Sequence, residues 1–317
     1  MKILAKSGRD DLAIVYVAET SAGKKLEFVE SLQPPFKRRE KWVLLVSSLY
    51  GCPVKCRMCD ANRNFSGIVP EEDLLAQINF LVEKRFGTRN FYCEKFKIQF
   101  ARIGEPTFNK NVLSVLKILP TLYTKPKLFP SVSTVAPRKG KKFLDELLEI
   151  KKSLYPKRFQ IQFSVHSTDE KIRNWLMPID KWNLREISDY GRRFCDEGGR
   201  KVTLNFAYND GFAQEPDIIK RIFSPEFFAV KITPVNPTFA AIRNRLSSEL
   251  GNGGGWKNFA EELKKAGYEI IVSVGEKEEN KIGSNCGQHL SVLEKRKVKN
   301  GSSYSYPLVT MKIPRFL

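Results

Sequence analysis

The chain has 317 residues, and 54 lysines and arginines against 35 acidic side chains give it a formal net charge of +19. That length suits one large α/β domain with small appendages, and the absence of any apolar run of about 18 residues excludes a spanning helix and leaves no membrane partner expected. The charge repels itself unless a polyanion lies nearby, so nucleic acid is the partner it points to, although a generically basic surface would give the same balance.

The N-terminus, Met1-Lys2-Ile3-Leu4-Ala5-Lys6, has no apolar stretch behind its charge that could act as a secretory signal. Six cysteines in a chain of this length without such a signal do not read as a disulfide framework, so the expected compartment is the reducing cytoplasm. Residues 1–41 hold short alternating stretches such as Leu12-Ala-Ile-Val-Tyr-Val, split by Ser21-Ala-Gly and closed by Pro34-Pro35, and predict a small β-rich appendage. From residue 42, strand-like and helix-like segments alternate. Strands are predicted at 42–48, 95–103, 128–134, 158–166, 201–208 and 227–233, each rich in Val, Ile and Phe. Amphipathic helices are predicted at 71–86, 110–119, 140–153, 183–197 and 215–223, with a further helix near 256–266 and a seventh strand at 268–274. Strict βα alternation argues for parallel strands with right-handed crossovers, and six repeats suit an α/β fold of the partial (β/α)6 barrel type over residues 42–288. Residues 289–317 are basic and weakly patterned and read as a C-terminal extension.

The chemistry is concentrated in Cys52-Pro-Val-Lys-Cys56-Arg-Met-Cys59, directly after the first strand, where a parallel barrel places its active site. C-x3-C-x2-C puts three thiolates on one short loop. That suits three corners of a [4Fe-4S] cluster and leaves the fourth iron free for a small molecule, here expected to be S-adenosylmethionine (SAM), whose C–S bond such a cluster splits. A structural zinc site would want a second cysteine pair, and none exists in this sequence. The second strand ends in Gly104-Glu105-Pro106, where glycine allows close backbone approach and glutamate offers an acceptor to an ammonium. Later strand ends carry Ser131 and Ser133, then Ser164-Val165-His166, then Asn236-Pro237, hydroxyl, imidazole and amide groups suited to a nucleotide-like ligand. Taken one by one, each of these reads better as a strand-end cap or a turn.

Taken in order, the motifs resemble those of the RlmN/Cfr-type radical-SAM enzymes, which methylate adenine carbons of RNA. The resemblance runs through Val46-Ser-Ser-Leu-Tyr-Gly-Cys52, Gly104-Glu105-Pro106, Ser164-Val165-His166, Leu176-Met177-Pro178-Ile179-Asp180, Asn209-Asp210, Asn236-Pro237 and Asn285-Cys286-Gly287-Gln288, and spans about residues 25–290. It implies that Cys52, Cys56 and Cys59 hold the cluster, and that Gly104, Glu105, Ser133, Ser164, His166 and Asn236 contact SAM, with Ser131 an alternative to Ser133. It implies that Cys286 carries the methyl group, a role suited to sulfur because thiolate is a strong nucleophile. It also implies an RNA partner (rRNA or tRNA) and an electron donor such as flavodoxin or ferredoxin.

Four features depart from the family pattern. Met58 stands where an aromatic residue usually precedes the third cysteine. Asp60-Ala-Asn-Arg-Asn-Phe-Ser-Gly67 replaces a glycine-rich segment, and about 40 residues before the first strand leave no room for the family's N-terminal helical domain. Leu45 occupies the place of a second thiol, seven residues before Cys52, that removes a proton to release the protein–RNA adduct. Three functions therefore stay open: modification of an RNA base through Cys286, radical chemistry on a protein or small molecule, and a non-catalytic RNA-binding module that keeps the cluster.

Overall fold

The computed structural model describes residues 1–61, 65–209, 211–246, 255–273, 277–284, 289–290 and 305–311. Strands β1 (Lys2–Arg9), β2 (Ala13–Glu19) and β3 (Lys25–Ser31) form an antiparallel meander. Its last strand pairs antiparallel with β4 (Lys41–Val46), so the N-terminal strands extend the main sheet. Then come α1 (Glu71–Phe86), β5 (Lys95–Phe100), α2 (Asn111–Leu122), β6 (Leu128–Thr134), α3 (Lys141–Leu154) and β7 (Gln160–Ser164). After β7 the chain forms α4 (Glu170–Leu176), α5 (Leu184–Phe194), β8 (Val202–Tyr208), α6 (Pro216–Ile222), β9 (Phe228–Pro234) and α7 (Phe239–Arg243). The described remainder is α8 (Gly255–Lys265), β10 (Glu269–Val272), α9 (Lys277–Ile282) and β11 (Val309–Thr310). Strands β4 to β10 are all parallel, and the sheet order among the described residues is β10-β9-β8-β7-β6-β5-β4-β3-β2-β1-β11. No described helix is long and apolar enough to cross a membrane.

The alternation of each parallel strand separates two faces. Trp42, Leu44 and Val46 of β4, Phe96, Ile98 and Phe100 of β5, Leu204 and Phe206 of β8, and Val230 and Ile232 of β9 bury themselves in one core shared with the helices. The residues between them are largely polar, among them Gln99, Ser133, Gln162, Asn205 and Lys231. Helix α1 shows how the sequence sets an element. Pro70 precedes it, Glu71, Glu72 and Asp73 fill its first turn, and Lys84 and Arg85 its last, all favourable to the helix dipole. Gly87, at φ 64°, ends it by donating its N–H to the Glu83 carbonyl at 2.8 Å.

Three hydrogen bonds show that the sheet curls. Thr238 Oγ1, just after β9, donates to the Met58 carbonyl at 2.8 Å, Asp60 accepts from the Ala240 N–H at 2.8 Å, and Asn244 Nδ2 donates to the Arg57 carbonyl at 2.7 Å. The loop after β4 thus touches the loop after β9. In a flat sheet with strands about 4.8 Å apart those ends would lie about 24 Å from one another. The parallel strands therefore curl with the polar face inward, which is compatible with the open barrel expected from the βα alternation.

Candidate functional site

The barrel mouth is built on the loop leaving β4. Its first residues, Ser47 and Ser48, are buried, and Gln77 of α1 grips Ser47 from both sides: its Oε1 accepts from the Ser47 N–H at 2.8 Å and its Nε2 donates to the Ser47 carbonyl at 3.1 Å. Tyr50 is tied to Asp73 at 3.0 Å, so α1 fixes the entry of the cysteine loop. Lys55 takes a left-handed conformation at φ 60°, and the Cys59 N–H donates to the Cys56 carbonyl at 3.2 Å, so the chain turns back on itself between the last two thiols. Cys52, Cys56 and Cys59 form no disulfide among the described residues and are half-buried. Burial pushes the Cys52 thiol up to about 11. It drives Cys56 well above its ordinary value, and the neighbouring Cys59 and Cys52 thiols and the Glu105 carboxylate push in the same direction. Three thiols and one carboxylate thus share a single electrostatic neighbourhood.

Among the described residues no three His, Cys, Asp or Glu side chains are arranged to hold a single metal ion. A cluster whose ligands sit on separate irons asks for sulfurs spread around it, so three neighbouring thiols on one loop fit that group better than they fit zinc.

Glu105 is the hub of the next layer. It is buried, and its carboxylate accepts from Thr134 Oγ1 at 2.6 Å, Thr107 Oγ1 at 2.8 Å and the Val135 N–H at 2.9 Å. Burial raises its pKa in spite of these donors. The bonds lock the end of β5 to the end of β6. Gly104 lies at φ 101°, and a Cβ there would come within 2.4 Å of the Leu49 side chain, so the cysteine loop itself requires the glycine.

The remaining SAM contacts expected from sequence fall at the same end of the barrel. Ser133 is half-buried near the end of β6, where Gln99 Nε2 donates to it at 3.4 Å, whereas the alternative, Ser131, is fully buried with an unpartnered hydroxyl. Ser164 ends β7, beside Asn205. His166 follows in a left-handed conformation, φ 64°, and its Nδ1 accepts from the Ala207 N–H at 3.0 Å. Burial, with Arg173 adding to it, pushes this imidazole down to about 3, so it is neutral and carries its proton on Nε2. Asn236 lies after β9, two residues before the Thr238 that bonds the cysteine loop. Cys286 lies outside the described residues, as does Asp210.

Sequence reasoning missed an ion pair beneath this layer. Glu27 of β3 and Arg102, just after β5, are buried and meet at 2.7 Å. Arg102 Nη1 also donates to the Ser284 carbonyl at 2.8 Å, and Glu27 Oε1 accepts from the Leu290 N–H at 2.5 Å. Leu290 packs with Ala61 and Ile103 in a cluster that Cys52 and Cys59 adjoin. Residues 284 and 290, on either side of 285–288, are thus both tied to the cysteine-loop side of the barrel. Leu45 is half-buried on the face opposite Trp42 and Leu44, in a cluster with Val29 and with Ile282 of α9. Cys93 is buried at the far end of β5 and Cys195 caps the C-terminus of α5, both remote from this mouth in the topology.

No family model matches the chain. It is 25% identical over 288 residues to the dual-specificity RNA methyltransferase RlmN of Buchnera aphidicola, covering 84% of this chain and 71% of that protein. It is likewise 25% identical over 285 residues to the ribosomal RNA large subunit methyltransferase N of Nitrosopumilus maritimus, covering 85% and 74%. Among solved structures, a radical SAM methyltransferase from Sphaerobacter thermophilus superposes with a TM-score of 0.68 at 19% identity, covering 91% of this chain and 81% of the other, a likeness of fold.

Proposed function

We propose that the chain is a radical-SAM enzyme of the RlmN/Cfr-like family that methylates or alkylates a base of RNA. The observation that carries the reading is the convergence of Cys52, Cys56 and Cys59 with Glu105 at the mouth of a curled parallel sheet. The three thiols would hold a [4Fe-4S] cluster. Such a cluster would supply one-electron reduction of SAM bound beside it.

What this chain contributes is position and polarity. Cys52 and Cys56, held protonated by burial, must each lose a proton on loading, which makes cluster uptake pH-dependent. Glu105, pinned by Thr134 and Val135, offers a desolvated carboxylate whose burial an ammonium would offset. The neutral His166 has an Nε2–H to donate, and Ser133, Ser164 and Asn236 add short polar groups around the same mouth. Cys286 would be the methyl carrier. The attachment of Ser284 and Leu290 to the Glu27–Arg102 pair supports that role, because it keeps both flanks beside the cysteine loop. The net charge of +19 and the RNA named for the relatives support the substrate class, and an external one-electron donor such as a flavodoxin or ferredoxin completes the requirements.

The test is mass spectrometry of RNA incubated anaerobically with reconstituted protein, SAM and reductant. A base heavier by about 14 Da, dependent on Cys286, is expected. An unmodified RNA pool beside a modified protein or small molecule would replace this reading with the non-RNA alternative.

A further inference from the structure

One aromatic side chain at the mouth is left out of the core. Trp175, near the end of α4, is 43% exposed, whereas Trp42 and Trp182 are buried. Its position is fixed from the cysteine loop. The Arg57 guanidinium carbon lies 4.9 Å from the centre of the indole, and Arg57 Nε donates to the Trp175 carbonyl at 2.9 Å. The Arg57 N–H is bound to the Leu176 carbonyl at 2.9 Å, and its carbonyl accepts from Asn244 at 2.7 Å. Both members of the pair adjoin the site in sequence: Arg57 stands between Cys56 and Met58, and Leu176 and Met177, which follow Trp175, pack against those residues. With Arg57 over one side of the indole, the exposed remainder of a rigidly held ring faces outward at the entrance.

Of the acids nearby, Asp169 caps α4, Glu170 pairs with Arg173 at 2.6 Å and Asp180 with Arg138 at 3.3 Å, which leaves an excess of cations. Lys55 precedes the Cys56–Arg57 step, Lys171 lies one helical turn before Trp175 on α4, and Arg243 and Arg245 flank the Asn244 that holds Arg57. These four cations are exposed, and among the described residues none of them makes an ion pair. An apolar protein-docking patch would not need a ring of unpaired cations. An exposed aromatic face within a cationic rim is instead what unpaired nucleotides bind, bases on the ring and phosphates on the cations.

We propose that the Trp175–Arg57 pair is the stacking platform for a base of single-stranded RNA at the barrel mouth, with Lys55, Lys171, Arg243 and Arg245 along its phosphates. This rests on the RNA reading above and adds to it the residues that receive the strand and the state of the strand received.

The probe is a fluorescently labelled single-stranded RNA of about 12 nucleotides, with an abasic oligomer of the same length, titrated against the full chain carrying its cluster and SAM. Wild-type protein should bind the RNA with an affinity that falls steeply with salt, and should lose affinity for the abasic oligomer. Trp175→Ala should weaken RNA binding about five- to a hundredfold, Trp175→Phe should recover most of that, and Trp175→Ala should no longer distinguish RNA from the abasic oligomer. Equal RNA affinity in wild type and Trp175→Ala would overturn the platform while leaving the RNA reading intact. Failure of the wild type to bind RNA at low salt would overturn both.

Discussion

His166 is a left-handed, buried imidazole whose folded pKa of about 3 lies below the ordinary value of about 6.5. The unfolded chain therefore takes up a proton near pH 6.5 that the folded chain refuses until about 3. Stability present above about 6.5 is lost as the pH falls through that window, by about 2 kcal/mol at pH 5. Urea titrations at pH 7 and pH 5 should show this loss in wild type and a smaller one in His166→Gln; equal losses would contradict the assignment. Leu45 makes the opposite kind of statement, since it puts apolar volume where the family resemblance implies a proton-removing thiol. If carbon is added to an RNA base, wild-type protein should accumulate a covalent protein–RNA adduct visible on denaturing gels. Leu45→Cys should release methylated RNA, whereas adduct-free multiple turnover by the wild type would mean that another base acts. At this scale the cysteines and Gly-Glu-Pro were legible because their chemistry is local in sequence. Thr134, Asp60 and Arg102 were not, because their partners arrive from strands and loops far along the chain.

Elements were read from pattern where pattern had room to repeat. Helix α1 and strand β6 have the predicted bounds, since three first-turn acids and a terminal glycine mark the helix and a continuous Val- and Phe-bearing run marks the strand. Helices α4 and α7, of 7 and 5 residues, escaped because neither completes a second apolar repeat. Yet these two carry Trp175 and the contacts to Arg57 and Asp60, so the short elements shape the mouth. The joint between the meander and the barrel rests on the Glu27–Arg102 pair. Removing one partner leaves a buried, uncompensated charge, so Arg102→Met should cost about 3–5 kcal/mol by urea unfolding. The double change Glu27→Gln with Arg102→Met should cost less than Arg102→Met alone. A loss below about 1 kcal/mol in Arg102→Met would show that the pair does not hold this joint.

At the level of the whole molecule, the βα alternation predicts the parallel sheet, but its curl is visible only in contacts that cross the mouth, from Met58 and Asp60 to Thr238 and Ala240. That curl brings thiols and carboxylate from different strand ends to one opening, with the imidazole at the same end of the sheet, and turns an ordered set of weak motifs into a candidate site. The central claim is that Cys52, Cys56 and Cys59 serve SAM cleavage. The most direct measurement is the 5′-deoxyadenosine formed from SAM by anaerobically reconstituted protein under a strong reductant, with wild type beside Cys56→Ala. If that claim holds, wild type should carry about four irons and four sulfides per chain and form 5′-deoxyadenosine steadily, with the brown chromophore and the product lost together in Cys56→Ala. Full SAM cleavage by Cys56→Ala, or none by the iron-loaded wild type, would contradict it.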